Sequence, residues 1–460
     1  MDLTSHPLVV RARRLATDLL IPEAERIDQE WVPASHIEAV KRSGLLGVAA
    51  PAEYGGAGAP PAVLRATAEI LSGACCATWF VQTQHHTPVQ TLARSELPVR
   101  ERLLGPLSRG ELLSGVAYAH LRSYPRRPVR VRREGTGWRF DGTVPWYTGW
   151  GLNDVMLLAG VTDSDEVLFA FAEAREQPGL RASAPMRLAA LTAARTVSLE
   201  LDGLWLPAEA VALHTPYARW AAGDRVKTLS TNPAVFGVAE AALSLLDDDA
   251  AAPLRSRLAY LRERAYTLAD APVQQARGEA PGMVEAEGAG NGPTVRGGGD
   301  GEDGDGWAWE GAAGRDGEGG VGGARGGRAG GAGEGGAGEG GAGEGGAGEG
   351  GAGGTGQGRV GGAGDGWTAE RLAVRAEAYD LLRAATTAAV VAGGGRAMAL
   401  TSRAQRLARE GLFLLVQGQT AESRAAHLRA LGGAPTATGE RDRTDEHGRS
   451  RQQDRPGERD

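Results

Sequence analysis

Apolar residues recur at helical spacing from Ser5 to about Asp28, at Leu8, Ala12, Leu15 and Leu19, and predict a first helix capped by Ser5 with Pro7 in its first turn. Ser35-His36-Ile37-Glu38 has the form of a capping box ahead of Ile37, Val40 and Leu45, so a second helix starts there. Leu46 to Gly58, broken by Pro51 and a Gly pair, reads as an extended segment entering a loop. Helical periodicity returns from Pro61 to about Ser72, from Thr78 to Ala93 and from Val99 to Arg109. After Gly110 the period changes. Short β-prone runs follow at Leu112–Tyr118, Arg130–Arg133, Trp138–Phe140, Val155–Val161, Val167–Phe171, Thr196–Leu201 and Gly203–Leu206, which predicts a small antiparallel barrel or sandwich. Within it, Gly137 to Val161 reads as a hairpin with a tight turn at Asp141-Gly142 and three rings, Trp146, Tyr147 and Trp150, near its tip. A helix through Val226, Val235, Val238, Ala242 and Leu245 comes next, then one from Pro253 to Ala276. Two more are marked by Leu372, Ala376, Tyr379 and Leu382, and, after the Gly393-Gly394-Gly395 break, by Leu407, Gly411, Leu414 and Leu415. These four suffice for a bundle.

Composition divides the chain further. Gly with Ala and Glu dominates 278–366, which predicts a disordered, weakly acidic insertion between the second and third bundle helices; the charged tail 433–460 is expected to be disordered too. The expected parts are an all-helical domain at 1–111, a β domain at 112–214 and a helical bundle made from 215–277 and 367–432. A net charge of −7 gives no basic footprint, so nucleic acid is not an expected partner. No apolar run approaches the roughly 18 residues of a membrane span, the start lacks a secretory pattern, and Cys75 and Cys76 are adjacent, so a cytoplasmic protein with no membrane partner is expected. Aromatic residues make up only 5% of the chain, so the trio at Trp146, Tyr147 and Trp150 marks either a packed sheet corner or a surface on which a planar ligand stacks.

The order helical unit, β domain, four-helix bundle resembles the acyl-CoA dehydrogenase family, an α+β fold, and local text agrees. Leu46 to Gly56 is similar to the family's "P-x-E-Y-G-G" stretch, Arg102 to Ala117 to its entry into the β domain, and Leu199 to Val211 to its exit. Pro233 to Leu246 and Arg403 to Thr420 resemble the first and last bundle helices. The resemblance implies FAD as cofactor, with Trp146-Tyr147-Thr148 as the family's "W-x-T/S": the indole covers one flavin face and the hydroxyl bonds near N5. It further implies cofactor contacts at Gly394 and Gly395, at Thr420 and at Arg225, an acyl-CoA or other acyl thioester as substrate, an electron acceptor, and a homo-oligomer, dimer or tetramer. No metal site is expected.

Departures from the family pattern bear on the reaction. The segment Ala117 to Ser123 replaces most of "T-E-P-x-x-G-S-D", and Gly418 stands where the family's catalytic glutamate is expected. Removing the α-proton of a thioester needs a base, and Gly cannot supply one. Asp224 is a candidate relocated base, and Arg225 or Lys227 a candidate diphosphate contact. His85, His86 and His120 are candidates for lining a cleft or for structural roles. Three functions are therefore carried forward: FAD-dependent α,β-dehydrogenation of an acyl thioester without the usual glutamate; flavin-dependent monooxygenation using oxygen and reduced FMN or FAD delivered by a flavin reductase; and a catalytically silent subunit or binding partner.

Overall fold

The computed structural model describes residues 3–271 and 363–432. The expected tail at 433–460 and the expected insertion up to residue 362 lie outside the described residues, whereas the end of that insertion, 363–366, is helical. The first unit holds α1 (Pro7–Leu15), α2 (Ile21–Gln29), α3 (Ala34–Arg42), α4 (Pro61–Ala74), α5 (Cys76–Thr83), α6 (His86–Ala93) and α7 (Val99–Ser108). A π-helical turn, Ala16–Leu20, joins α1 to α2 without a break. The caps differ from expectation. His6, not Ser5, caps α1, its Nδ1 accepting the Leu8 N–H at 3.3 Å. Pro33 precedes α3, which places Ser35 inside the first turn and leaves the expected capping box unformed.

The helix expected over 78–93 is two helices, because the chain turns at Gln84-His85 and sends His85 into the core. There its Nδ1 accepts the Ser114 N–H at 3.1 Å, which leaves the proton on Nε2, 3.0 Å from the Leu107 carbonyl. One imidazole thus ties α6 to α7 and to the first strand.

The β domain contains β1 (Ser114–Ala117), β2 (Val129–Glu134), β3 (Gly137–Tyr147), β4 (Val155–Val161), β5 (Glu166–Glu173), β6 (Leu180–Ala182), β7 (Val197–Pro207) and β8 (Val211–Pro216). They form one sheet in the order β6-β7-β3-β2-β4-β5-β8, with β1 added beside β4. Its ladders are antiparallel except where β1 and β2 run parallel to β4. Every residue of β4 is buried, since the sheet is covered on both faces. Phe140, Val144, Leu158 and Leu199 pack on one side; on the other, Leu157 and Phe169 meet Leu103 and Leu107 of α7.

The hairpin expected over Gly137 to Val161 does not form, because β2 lies between β3 and β4, and the chain does not turn at Asp141-Gly142. β3 runs straight through these residues, paired with β2 on one side and β7 on the other, and the turn lies earlier, at Gly135-Thr136. Gly142 is required for another reason: its φ is +127°, and a Cβ there would stand 1.9 Å from the Pro128 carbonyl oxygen. Thr196–Leu201 and Gly203–Leu206, expected as two strands, are one strand, β7, bulged at Gly203 (φ +69°), whose N–H is accepted by the Asp141 carboxylate at 2.8 Å.

The bundle comprises α8 (Tyr217–Leu229), α9 (Pro233–Leu243), α10 (Asp248–Asp270), α11 (Ala363–Gly393), α12 (Arg403–Val416) and α13 (Ala421–Leu431). The helix expected through Val226 and Val235 is broken at 230–232, because a residue preceding Pro is pushed out of the helical region, and Asn232 caps the restart. Helix α13 went unforeseen. A single apolar core joins bundle and first unit, with Phe236, Leu258, Tyr379 and Leu407 packed beside Leu8, Ile27 and Trp79. Helices α4 and α9 cross so closely that a Cβ on Gly237 would lie 2.1 Å from the Glu69 carbonyl oxygen, and one on Gly73 2.6 Å from that of Gly237.

Candidate functional site

A second bulge builds the site. Along β3, Val144 pairs with Leu199, whereas Tyr147, three residues on, pairs with Val197, so Pro145-Trp146 carries one residue more than the opposing strand. Strict alternation would bury Trp146 beside Val144. The extra residue instead gives the inward place to Tyr147, which is fully buried, and leaves Trp146 53% exposed. Proline, which cannot donate to a ladder, is tolerated in a strand at such a bulge.

Trp146 faces a cleft of about 770 Å³ between the β domain and the helices. Thr148 and Thr196 lie beside the indole, with their hydroxyls 3.2 Å apart and both residues nearly buried. Asn153 holds this corner: its Nδ2 donates to the Tyr147 hydroxyl and to the Thr148 carbonyl, both at 2.8 Å. Gly115 leaves the room, since a Cβ there would meet Asn153 Nδ2 at 2.4 Å. Burial pushes the Tyr147 phenol above its usual range, so it stays a neutral hydroxyl.

Helices supply the opposite wall. Phe413 meets Phe80 edge-on, centroids 4.8 Å apart, while Leu412 and Val416 are exposed along α12. Past the end of α12, Gln417 and Gly418 line the cleft, and Asn232 Nδ2 donates to Gln417 Oε1 at 3.0 Å. Gly418 has φ +65° with open space where a Cβ would sit. Two arginines border the cleft, and both are occupied. Arg122 forms a two-pronged pair with Asp224 at 2.7 and 2.8 Å, and Arg409 pairs with Asp28 and donates to the Ala189 carbonyl at 3.3 Å. Among the described residues that line the cleft there is no Asp, Glu or His.

The structure thus brings Trp146, Thr148 and Gly418 to one cleft. Asp224 stands behind Arg122. Arg225 pairs with Glu422 at 2.8 Å, Thr420 caps α13 in a capping box with Ser423, and Gly394 and Gly395 form the turn after α11; none of these lines the cleft within this chain. His85 and His120 are structural: His120 donates from Nε2 to the Ala159 carbonyl at 3.0 Å, and burial depresses its pKa to about 4. His86 contacts the Gln82 side chain at 3.0 Å. Periodicity gave no sign of Thr196, Asn232 or Gln417 as cleft residues, nor of Tyr118, which also lines the cleft. Only Asn232 had a usable signal, an Asn directly before a helix-starting Pro.

The lining residues fit a flavin ring: one exposed indole as a platform, adjacent hydroxyls as hydrogen-bonding groups and an apolar wall opposite. They show no unpaired cation for a diphosphate among the described lining residues.

Comparison with known proteins agrees with this architecture. Residues 6–111 match the family model "Acyl-CoA dehydrogenase, N-terminal domain". A 3-sulfinopropanoyl-CoA desulfinase of Paraburkholderia xenovorans (strain LB400) is 28% identical over 153 residues, 31% of this chain and 38% of its own length, so this chain matches well under half of that relative. Butyryl-CoA dehydrogenase from Megasphaera elsdenii superposes with a TM-score of 0.63 at 14% identity, covering 94% of this chain and 98% of its own. A glutaryl-CoA dehydrogenase from Mycobacterium smegmatis, solved with FADH2, superposes with a TM-score of 0.61 at 16% identity, covering 95% and 96%. At such identities the likeness establishes the fold.

Proposed function

Given that this chain has the acyl-CoA dehydrogenase fold and an N-terminal region matching that family's model, we propose that it is a flavin-dependent oxidoreductase acting on an acyl thioester without a carboxylate base. The observation that carries this is the bulge-exposed indole of Trp146 beside two buried hydroxyls in a cleft free of acids among its described lining residues. A flavin bound there supplies two-electron redox chemistry. Trp146 offers its face to the ring, Thr148 and Thr196 offer hydrogen bonds at the ring edge, and Phe80, Phe413 and Leu412 form an apolar wall opposite. An acyl thioester is the substrate class named for the desulfinase and for the two dehydrogenases.

The missing base favours monooxygenation over desaturation, since oxygen chemistry needs no α-proton acceptor on the protein. Asp224 is a weak replacement, because Arg122 occupies both of its oxygens. A reductase or electron acceptor belongs to the same proposal, as does a homo-oligomer, for which the exposed Val391, Met398 and Leu400 beside Gly394 and Gly395 offer apolar surface.

The visible spectrum of the purified chain, with and without added FAD, tests the cofactor. Bound flavin is expected, and Trp146→Ala should lower its retention about tenfold, the loss of a stacking contact worth about 1.4 kcal/mol. Equal retention by the variant overturns the stacking; no flavin in either supports the silent-partner reading. Anaerobic bleaching by butyryl-CoA assigns desaturation, whereas oxygen-dependent product from supplied reduced flavin assigns monooxygenation.

A further inference from the structure

The polar wall made by Asn232 and Gln417 has a fixed direction. Asn232 caps α9, its Oδ1 accepting the Ala234 N–H at 3.0 Å, so its amide has one orientation, with Nδ2 turned away from the helix. That Nδ2 donates to Gln417 Oε1 at 3.0 Å and so orients the second amide too. Flipping Gln417 would set one NH2 group against another. The oxygen of Gln417 is therefore engaged, and its Nε2 meets no protein acceptor among the described residues. Gln417 lines the cleft next to Gly418, so this donor is left for whatever the cleft holds.

The other polar groups sharpen what it selects. Arg122 and Arg409 already serve carboxylates, and the Thr148 and Thr196 hydroxyls, one of which donates to the other, belong to the β-domain wall. On the α12 side of the cleft the available side-chain group is thus a neutral donor in an apolar surround. Its best complement is a neutral acceptor; a bare carboxylate would be desolvated there without a counter-charge.

We propose that Gln417 Nε2 donates a hydrogen bond to the thioester carbonyl oxygen of an acyl-CoA in this cleft, with Asn232 as the positioning residue that aims it. This rests on the acyl-thioester reading above. It gives the protein a group that draws electron density toward the carbonyl oxygen at the end of the cleft where a proton-accepting side chain is missing.

The test is the equilibrium binding of butyryl-CoA and of its thioether counterpart S-butyl-CoA, which lacks the carbonyl, to the full chain supplemented with FAD. The wild type should prefer the thioester by about fivefold, the worth of one neutral hydrogen bond. Two variants of nearly unchanged shape should erase that preference. Gln417→Glu puts an acceptor where the donor was. Asn232→Asp still caps α9, but its second oxygen now takes the Gln417 NH2 and turns Oε1 toward the cleft. Loss of the preference in the variants, with S-butyl-CoA bound as before, supports the proposal. The same preference in all three proteins overturns it while leaving the acyl-thioester reading intact, and binding of neither compound by the wild type overturns both. Should one variant fail to fold, the other carries the test.

Discussion

Gly418 combines two facts that pull in opposite directions. Its φ of +65° disfavours any side chain, by about 1–2 kcal/mol, yet a Cβ there would meet nothing within 4 Å. Gly418→Glu should therefore fold with that modest loss of stability, read from denaturant midpoints. If flavin and acyl-CoA bind as proposed, the variant should gain anaerobic bleaching by butyryl-CoA over the wild type; a folded, flavin-loaded variant with no gain means the position does not reach the α-carbon. At this scale the sequence was informative only where a residue type is itself conspicuous. Trp146, Thr148 and Gly418 stood out by likeness to a family pattern and do share one cleft. Asn232, Gln417 and Thr196 are ordinary polar residues from separate elements, and nothing local says that their ends converge.

Helices and strands were legible where a period was long and unbroken, and boundaries failed where one residue overrode the pattern. His85 splits a helix because its two ring nitrogens are claimed by the backbone of other elements. Asn232-Pro233 splits another. The Asp141-Gly142 pair has turn composition, but tertiary crowding by Pro128 is what requires the glycine. Crowding also fixes the crossing of α4 and α9, where Gly237 leaves no space against the Glu69 carbonyl. Gly237→Ala forces two packed helices apart and should cost about 1–3 kcal/mol in a urea titration; a change below about 0.5 kcal/mol would show that the crossing yields easily. Because Asn232 caps α9, the same variant should also weaken any preference for the thioester.

Over the whole molecule, buried neutral imidazoles contribute to the acid sensitivity of the fold. Burial depresses His85 to about 3 and His120 to about 4, while in the unfolded chain both titrate near 6.5. The folded pKa values are the lower ones, so this stability is complete above about pH 6.5 and is lost as pH falls, when only the unfolded state takes up the protons. Each histidine contributes a slope of up to about 1.4 kcal/mol per pH unit between about pH 6 and pH 4. Denaturant midpoints at pH 7, 6 and 5 should fall accordingly, and His120→Gln should flatten the slope by about one proton; an unchanged slope would mean that His120 is protonated in the fold. The order of parts at this scale was the most legible feature, since α-then-β-then-α needs only a change of period to be seen. The bulge at Pro145-Trp146 was not, and it gives the molecule an uneven tolerance to genetic change. Substituting Pro145 leaves the count of residues between Val144 and Tyr147 intact, and removing its codon sets Trp146 alone opposite Ser198 with the ring still turned away from Val144, whereas removing the neighbouring codon, that of Trp146, erases the platform and leaves the pairing of Val144 and Tyr147 whole.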